Sequence, residues 1–195
     1  SVGRLVKSGA RVVVEHDAGA AASFPDSAYT AAGATVVRSL AEALADSDVV
    51  TKVQPPSAAE ARALKSGTVL VSLFQPASAG DILPALADRS VTALSLERVP
   101  RITRAQSMDV LSSQSTVAGY KAVLIGASMM PKFLPMLTTA AGNIAPAKAF
   151  ILGAGVAGLQ AIATARRLGA IVSAFDVLPA VREQVQSLGA TFVAA

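Results

Sequence analysis

Short apolar runs alternate with amphipathic stretches along the first hundred residues of the chain. The apolar runs are short and rich in β-branched residues, which predicts short strands. The predicted strands are Arg11–Glu15, Thr35–Val37, Asp48–Val53, Thr68–Phe74 and Val91–Leu96. The intervening segments predict helices at Asp26–Ala32, Leu40–Ala45, Ser57–Leu64 and Asp81–Ala87. Regular alternation of strand and helix predicts an α/β domain with a parallel sheet.

Two of these helices begin at residues typical of helix N-termini. Ser57 is followed three residues later by Glu60, which is the spacing of a capping box. Asp26 is expected to cap the short helix that it opens.

The alternation of short strands and helices ends after Pro100. Residues 101–115 are polar and predict a loop with a helical turn, whereas Thr116–Met129 predicts a helix and Leu134–Ala141 a further helical stretch. Residues 142–146, Gly-Asn-Ile-Ala-Pro, are typical of a linker. We therefore expect an N-terminal α/β domain at 1–115, connecting helices and a linker at 116–145, and a second domain at 146–195.

The second domain opens on a glycine-rich turn. An apolar strand leads into Gly153-x-Gly155-x-x-Gly158, and an apolar helix and a second strand follow, ending at Asp176. A helix at Pro179–Leu188 and a strand at Thr191–Val193 complete the segment. The predicted fold class is therefore α/β with two doubly wound, Rossmann-like parallel-sheet domains. Both are expected to be incomplete, because a first strand and a second mononucleotide half are not in the sequence.

Each part of the turn has a physical role in binding a dinucleotide. The first glycine permits a tight turn, the second lets a pyrophosphate approach the backbone, and the third lets the helix pack closely on the strand. The helix N-terminus offers free N–H groups and a positive dipole to the phosphates. The predicted cofactor-binding residues are Gly153, Gly155, Val156, Gly158, Asp176 and Val177. The alternative interpretation is a glycine-rich turn that binds nothing.

Asp176 also bears on which dinucleotide binds. It lies at about the distance from the turn expected of the acid that binds a ribose 2′-hydroxyl. Its carboxylate would repel a 2′-phosphate, and Val177 beside it carries no positive charge. Arg182 lies further along and is expected to be solvated. The prediction is NAD(H) rather than NADP(H).

Composition narrows the remaining function classes. The chain is 52% hydrophobic with a net charge of +4, and its aromatic content is only 4%. The basic residues are scattered, so nucleic-acid binding is not expected. The apolar region 133–165 is broken by proline, asparagine, lysine and glycine, and no membrane-spanning helix is expected. Cysteine is absent, which excludes disulfides, and the single histidine, His16, is expected at the surface with no metal site.

The polar segment Arg101–Gln114 is the second candidate site. It gathers arginines, a carboxylate, amides and hydroxyls directly after an apolar strand, where ligands bind in open α/β sheets. Such groups can orient a nicotinamide. The alternative is a solvated inter-domain loop in which Asp109 caps the next helix.

Two stretches resemble the NAD(H)-binding domain of proton-translocating nicotinamide nucleotide transhydrogenases. Residues 100–113 read Pro-Arg-Ile-Thr-Arg-Ala-Gln-Ser-Met-Asp-Val-Leu-Ser-Ser, and 146–158 read Pro-Ala-Lys-Ala-Phe-Ile-Leu-Gly-Ala-Gly-Val-Ala-Gly. The resemblance covers nearly the whole chain. It implies an NAD(H) site, hydride transfer to an NADP(H)-binding partner domain, coupling to a proton-translocating membrane domain, a homodimer, and a place on the cytoplasmic side of the inner membrane.

The resemblance also implies residue roles in the polar segment. Arg101 would contact the nicotinamide or its phosphates, and Gln106 would lie at the hydride-transfer face. Asp109 and Ser112 would bind the carboxamide, and Asp176 the adenosine ribose. Direct transfer needs orientation and exclusion of water rather than acid–base chemistry.

Two alternatives come from other classes of protein. Alanine dehydrogenases share the architecture, and Lys52 matches the first lysine of their Lys-Val-Lys-Glu-Pro segment. Gln54, however, replaces their substrate-binding lysine, and Gln75 stands where their proton-handling histidine is expected. The other alternative is a non-catalytic NAD-binding module or fragment.

Overall fold

A computed structural model describes residues 1–75 and 80–194. The chain forms two compact units, Ser1–Pro100 and Arg101–Ala195. The domain division at 115 and 146 stays a prediction.

The first unit is built from alternating strands and short helices. Its helices are α1 Val2–Lys7, α2 Asp26–Ala31, α3 Leu40–Leu44, α4 Ala58–Ala63 and α5 Ile82–Asp88. Its strands are β1 Val13–Glu15, β2 Thr35–Val37, β3 Val49–Thr51, β4 Val69–Ser72 and β5 Thr92–Ser95. β1 pairs with β2, and β4 lies between β3 and β5, all in parallel. The predicted parallel α/β arrangement is confirmed, with slightly shorter strands.

One of the two predicted helix caps is correct. Ser57 and Glu60 form a full capping box at the start of α4, because each side chain accepts the other residue's backbone N–H. The prediction for Asp26 is wrong. Pro25 occupies the N-cap position of α2, and the Asp26 carboxylate bonds to His16 and to the backbone N–H of Asp17.

The second unit contains a parallel sheet and a long helix. Its helices are α6 Val110–Met129, α7 Val156–Arg167 and α8 Arg182–Ser187, with 3-10 turns at Thr103–Met108 and Pro179–Val181. Its strands are β6 Leu137–Thr139, β7 Gly142–Ile144, β8 Lys148–Leu152, β9 Ile171–Phe175 and β10 Thr191–Val193. The parallel order β10-β9-β8, with α7 and α8 as crossovers, is that of one mononucleotide-binding half.

The segment before the glycine-rich turn differs from its prediction. Leu134–Ala141 is not helical, and β6 and β7 form an antiparallel hairpin that extends into the expected linker. Pro135 removes a helical N–H donor. Gly142 turns the chain with φ +124°, and the Thr139 hydroxyl donates to the Gly142 carbonyl while accepting the Ala141 N–H.

The core of the second unit lies between its sheet and α7 and α8. Ile162, Val172 and Val185 are fully buried there. β8 forms an edge of the sheet, and its outward side chains Phe150 and Leu152 are 55% and 75% exposed. One face of the sheet is thus left uncovered by the described residues. Within the described part of the chain, no helix has the length and hydropathy needed to cross a bilayer.

Candidate nucleotide-binding site

The glycine-rich turn joins β8 to α7 with the geometry that its sequence predicts. Gly153 turns the chain at φ +92°, a conformation that favours glycine. Gly158 lies against that turn, since a Cβ placed on it would be 1.8 Å from the Gly153 carbonyl oxygen. The third glycine therefore permits close packing of helix on strand, as predicted.

Gly155 faces open space at the start of α7. Its φ is −71°, and a Cβ built on it would meet nothing within 4 Å. Among the described residues, no side chain caps this twelve-residue helix, so its first N–H groups are available to a ligand. Val156, which follows Gly155, is 44% exposed. A turn open at its second glycine and closed at its third fits an approaching pyrophosphate.

Asp176 lies beside this turn, directly after β9. Its Oδ2 accepts the backbone N–H of Ala154 at 2.6 Å, and its Oδ1 accepts that of Leu178 at 2.8 Å. These N–H groups, that of Ala154 first, hold the pKa of Asp176 below its ordinary value. Val177, the next residue, is 80% exposed. The acid is therefore ionised and within reach of a nucleotide on the turn.

A pocket of about 330 Å³ adjoins Asp176. It is lined by Phe175, Asp176, Val177, Pro179, Arg182, Phe192 and Ala194. Arg182 is exposed, as expected. Its place at this pocket was not predicted, because the pairing of β9 with β10 brings residues distant in sequence to one end of the sheet.

The polar segment is ordered by a helix cap. Asp109 is the N-cap of α6, and its carboxylate accepts the backbone N–H of Ser112 at 2.9 Å and the Ser112 hydroxyl at 2.7 Å. The Ser112 hydrogen bonds are the main reason that the pKa of Asp109 is lowered, and the positive charge of Arg101 adds to them. Arg101 and Gln106 are exposed. Asp109 caps the helix, as the structural alternative expected, and its nicotinamide role stays a prediction.

Helix α6 ties the polar segment to the glycine-rich turn. A Cβ on Gly119 of α6 would lie 2.1 Å from the carbonyl oxygen of Ala157 in the first turn of α7. Ser112 precedes Gly119 by two helical turns, or about 10 Å along the helix axis. The two candidate regions therefore belong to one unit and share a helix contact.

His16 is at the surface, as expected, but it has acidic partners. Its Nδ1 is hydrogen-bonded to Asp26, and its Nε2 lies 3.2 Å from Asp17. The ligand atoms of these three residues lie within 4.8 Å of one another, a proximity that sequence spacing did not reveal. The three side chains satisfy one another as an ion-pair cluster, and the expected absence of a metal site stays a prediction.

Comparison with known proteins assigns the chain to a family. The profile of the N-terminal domain of alanine dehydrogenase/PNT matches residues 1–118, and that of the C-terminal domain matches residues 122–195. The chain belongs to the alanine dehydrogenase/PNT family. The resemblance inferred from the sequence is thereby confirmed.

Relatives named as transhydrogenase subunits are more similar to the chain than alanine dehydrogenases are. An NAD(P) transhydrogenase alpha-subunit protein of Rhodospirillum rubrum is 50% identical over 98% of the chain and 51% of its own length. Alanine dehydrogenase 2 of Staphylococcus aureus is 35% identical over 94% of the chain and 50% of its own length. The chain thus spans about half the length of these relatives.

Solved structures confirm the fold class within this family. The structure of a transhydrogenase from Sinorhizobium meliloti superposes on 99% of the chain with a TM-score of 0.95 and 51% identity, and the match covers 57% of that structure's own length. An L-alanine dehydrogenase matches the whole chain and 55% of its own, with a TM-score of 0.85 and 29% identity.

Lys52, which matches a lysine of the alanine dehydrogenase segment, forms an ion pair within the first unit. The Lys52 ammonium binds Glu60 Oε1 at 2.6 Å, and both side chains are mostly buried. Burial opposes ionisation of Glu60, but hydrogen bonds from Lys52 and Ser57 hold its pKa below the ordinary value. Lys52 thus stabilises the capping box of α4, which is a structural role.

Gln75 is held by a residue that sequence reasoning missed. Its φ is +47°, and its backbone N–H and that of Phe74 both donate to Glu97 Oε1, the latter at 2.9 Å. A carboxylate that accepts two successive N–H groups fixes the backbone just after β4. No local sequence signal links the two regions, since they meet through the pairing of β4 with β5.

Proposed function

We propose that this chain forms the NAD(H)-binding part of a nicotinamide nucleotide transhydrogenase. The observation that carries the proposal is the turn at Gly153–Gly158, open at Gly155 and flanked by ionised Asp176. The greater similarity to transhydrogenase alpha subunits than to alanine dehydrogenases supports it.

The dinucleotide bound at the glycine-rich turn is NAD(H). NAD(H) supplies or accepts a hydride when bound; the turn and the α7 N-terminus hold its pyrophosphate, and Asp176 binds the adenosine ribose. A carboxylate at that place disfavours a 2′-phosphate by charge repulsion, and exposed Val177 adds no compensating cation. The chain is therefore specific for NAD(H) over NADP(H).

The polar segment Arg101–Gln114 orients the nicotinamide end of the dinucleotide. Asp109 and Ser112, already locked to each other by hydrogen bonds, form a rigid polar pair for the carboxamide. Arg101 contacts the nicotinamide or its phosphates, and exposed Gln106 lies at the face where a partner domain presents NADP(H). Hydride transfer between two rings needs no proton carrier, so these residues act by orientation and exclusion of water.

The partners follow from the same proposal. An NADP(H)-binding domain completes the hydride-transfer site, and a membrane domain couples transfer to proton movement, which places this chain on the cytoplasmic side of the inner membrane. A second copy of the chain makes a homodimer. Large apolar side chains exposed on α6 and just after it support an interface there: Val117, Ile125, Met129, Phe133 and Met136.

Isotope transfer tests the proposal directly. The complete protein is mixed with an NADP(H)-binding partner, NADH deuterated at the transferred position and NADP⁺, and label in NADPH is followed by mass spectrometry. We expect label transfer, and no NADH oxidation with pyruvate and ammonia. Oxidation with pyruvate and ammonia would indicate an alanine dehydrogenase, and tight NADH binding without label transfer a non-catalytic module.

Variants at the two ends of the site sharpen this test. Asp176→Ala is expected to weaken NADH binding about tenfold, the loss typical of a hydrogen bond to a charged group. Gln106→Ala is expected to slow label transfer while leaving NADH affinity unchanged. Lys52→Gln is the matched control, because its amide can still bond to Glu60 and neither quantity should change. Wild-type affinity in Asp176→Ala would remove that residue from the site.

A further inference from the structure

The pocket beside Asp176 contains a cation that the proposed chemistry does not yet use. The guanidinium carbon of Arg182 lies 5.1 Å from the centroid of the Phe192 ring, within cation–π range. Phe192 belongs to β10 and packs against the buried core of the second unit. The ring is therefore a fixed platform, and it holds the exposed Arg182 side chain at the pocket wall.

The rest of the pocket suits a flat apolar group. Phe175, Val177 and Pro179 contribute apolar surface, and the volume of about 330 Å³ lies at the lower end of the range for ligand pockets. The Asp176 carboxylate marks the polar end, where Ala154 and Leu178 donate their N–H groups to it. A planar cation, apolar walls and an acid at one end match a nucleoside whose ribose lies at the acid.

We propose that Arg182, held against Phe192, is the residue on which the adenine ring of the dinucleotide stacks. The inference rests on the proposed binding of NAD(H) at the glycine-rich turn and names a further specificity-determining residue there. Guanidinium planes stack on aromatic rings and on bases, and a lysine ammonium lacks such a plane. An arginine at this place therefore selects a purine by shape rather than by charge.

A different role for the same side chain makes a distinct prediction. A cation at this end of the pocket could instead neutralise a ribose 2′-phosphate, which would make NADP(H) a ligand. Asp176 opposes that role because its carboxylate is ionised beside the same pocket. Arg182→Lys distinguishes adenine stacking from phosphate neutralisation, because it keeps the positive charge and removes the guanidinium plane.

Binding calorimetry on the complete protein tests the inference. Wild type, Arg182→Ala and Arg182→Lys are titrated with NADH, AMP, NADPH and reduced nicotinamide mononucleotide. Loss of one stacked base contact is expected to weaken NADH and AMP binding about tenfold in both variants. Binding of reduced nicotinamide mononucleotide, which has no adenine, should stay at the wild-type value. Arg62→Ala, which removes an exposed arginine from α4, is the control for lost charge and should bind every ligand as wild type does.

The outcomes separate this inference from the proposed function. Wild-type affinity for AMP in Arg182→Ala, or full affinity in Arg182→Lys, would overturn stacking. A loss confined to NADPH would indicate the phosphate role and overturn it too. Failure of wild type to bind NADH, while AMP binds and depends on Arg182, would refute only the proposed function. Failure to bind either ligand would refute both.

Discussion

Replacing Gly158 by alanine will push the first turn of α7 away from β8. The added Cβ would lie 1.8 Å from the Gly153 carbonyl oxygen and 2.8 Å from its carbonyl carbon, against an ordinary contact of about 3.5 Å. The neighbour is backbone in a tight turn, so no side-chain rotation relieves the clash. Overpacking of this kind costs up to about 3 kcal/mol. Alanine's better helix propensity returns up to about 1 kcal/mol, leaving a net loss of about 2 kcal/mol.

A thermal melt followed by circular dichroism measures this loss. For a chain of this size, we expect the melting midpoint to fall by about 4–8 °C. NADH affinity, measured by calorimetry below the transition, should fall as well, because the displaced turn no longer matches the pyrophosphate.

Gly155→Ala is the matched control on the same turn. Its φ of −71° suits alanine, and its Cβ would meet no atom within 4 Å. We expect stability to stay within about 0.5 kcal/mol of wild type, while NADH binding weakens at least tenfold because the methyl group takes the ligand's space. A wild-type melting midpoint for Gly158→Ala would refute the close-packing argument, and wild-type NADH affinity for Gly155→Ala would refute the position of the ligand.

Two further predictions concern a helix contact and a titration. Gly119→Ala should lower the free energy of unfolding by about 1–3 kcal/mol, because its Cβ would lie 2.1 Å from the Ala157 carbonyl oxygen. Gly126→Ala on the same helix is the control: its Cβ meets nothing within 4 Å, and the free energy of unfolding should rise by about 1 kcal/mol. Urea unfolding measures both changes, and equal effects of the two substitutions would contradict the contact. The hydrogen bond to Asp26 raises the pKa of His16, so its stabilising contribution is present below the ordinary histidine pKa of about 6.5 and is lost as pH rises through the folded pKa. As the single histidine, His16 gives one unambiguous NMR titration, and Asp26→Asn should lower its midpoint; an unchanged midpoint would rule out the pairing.

Features that depend on neighbours in sequence were predictable from the sequence. The alternation of short strands and helices indicated parallel sheets, and the spacing of Ser57 and Glu60 indicated a capping box. The glycine spacing at Gly153–Gly158 indicated the turn and the roles of its glycines. In the capping box and the turn, the interacting atoms lie within a few residues of one another, so local backbone geometry fixes their contact.

Predictions failed where a distant partner or a competing local structure controlled the result. Pro135 and Gly142 favour a hairpin over the expected helix, and Asp26 turns from its helix to His16. The position of Arg182 of α8 over the Phe192 ring of β10 was also not predictable from the sequence.

The order of residues alone was enough to predict a glycine-rich turn typical of dinucleotide sites, with an acid placed to favour NAD(H). Three-dimensional packing was needed to establish which groups surround that turn. It put Arg182 and Phe192 into the pocket beside Asp176, and Gly119 of α6 against α7. The reason is physical: strand pairing and helix packing bring together residues whose separation along the chain carries no signal of their contact.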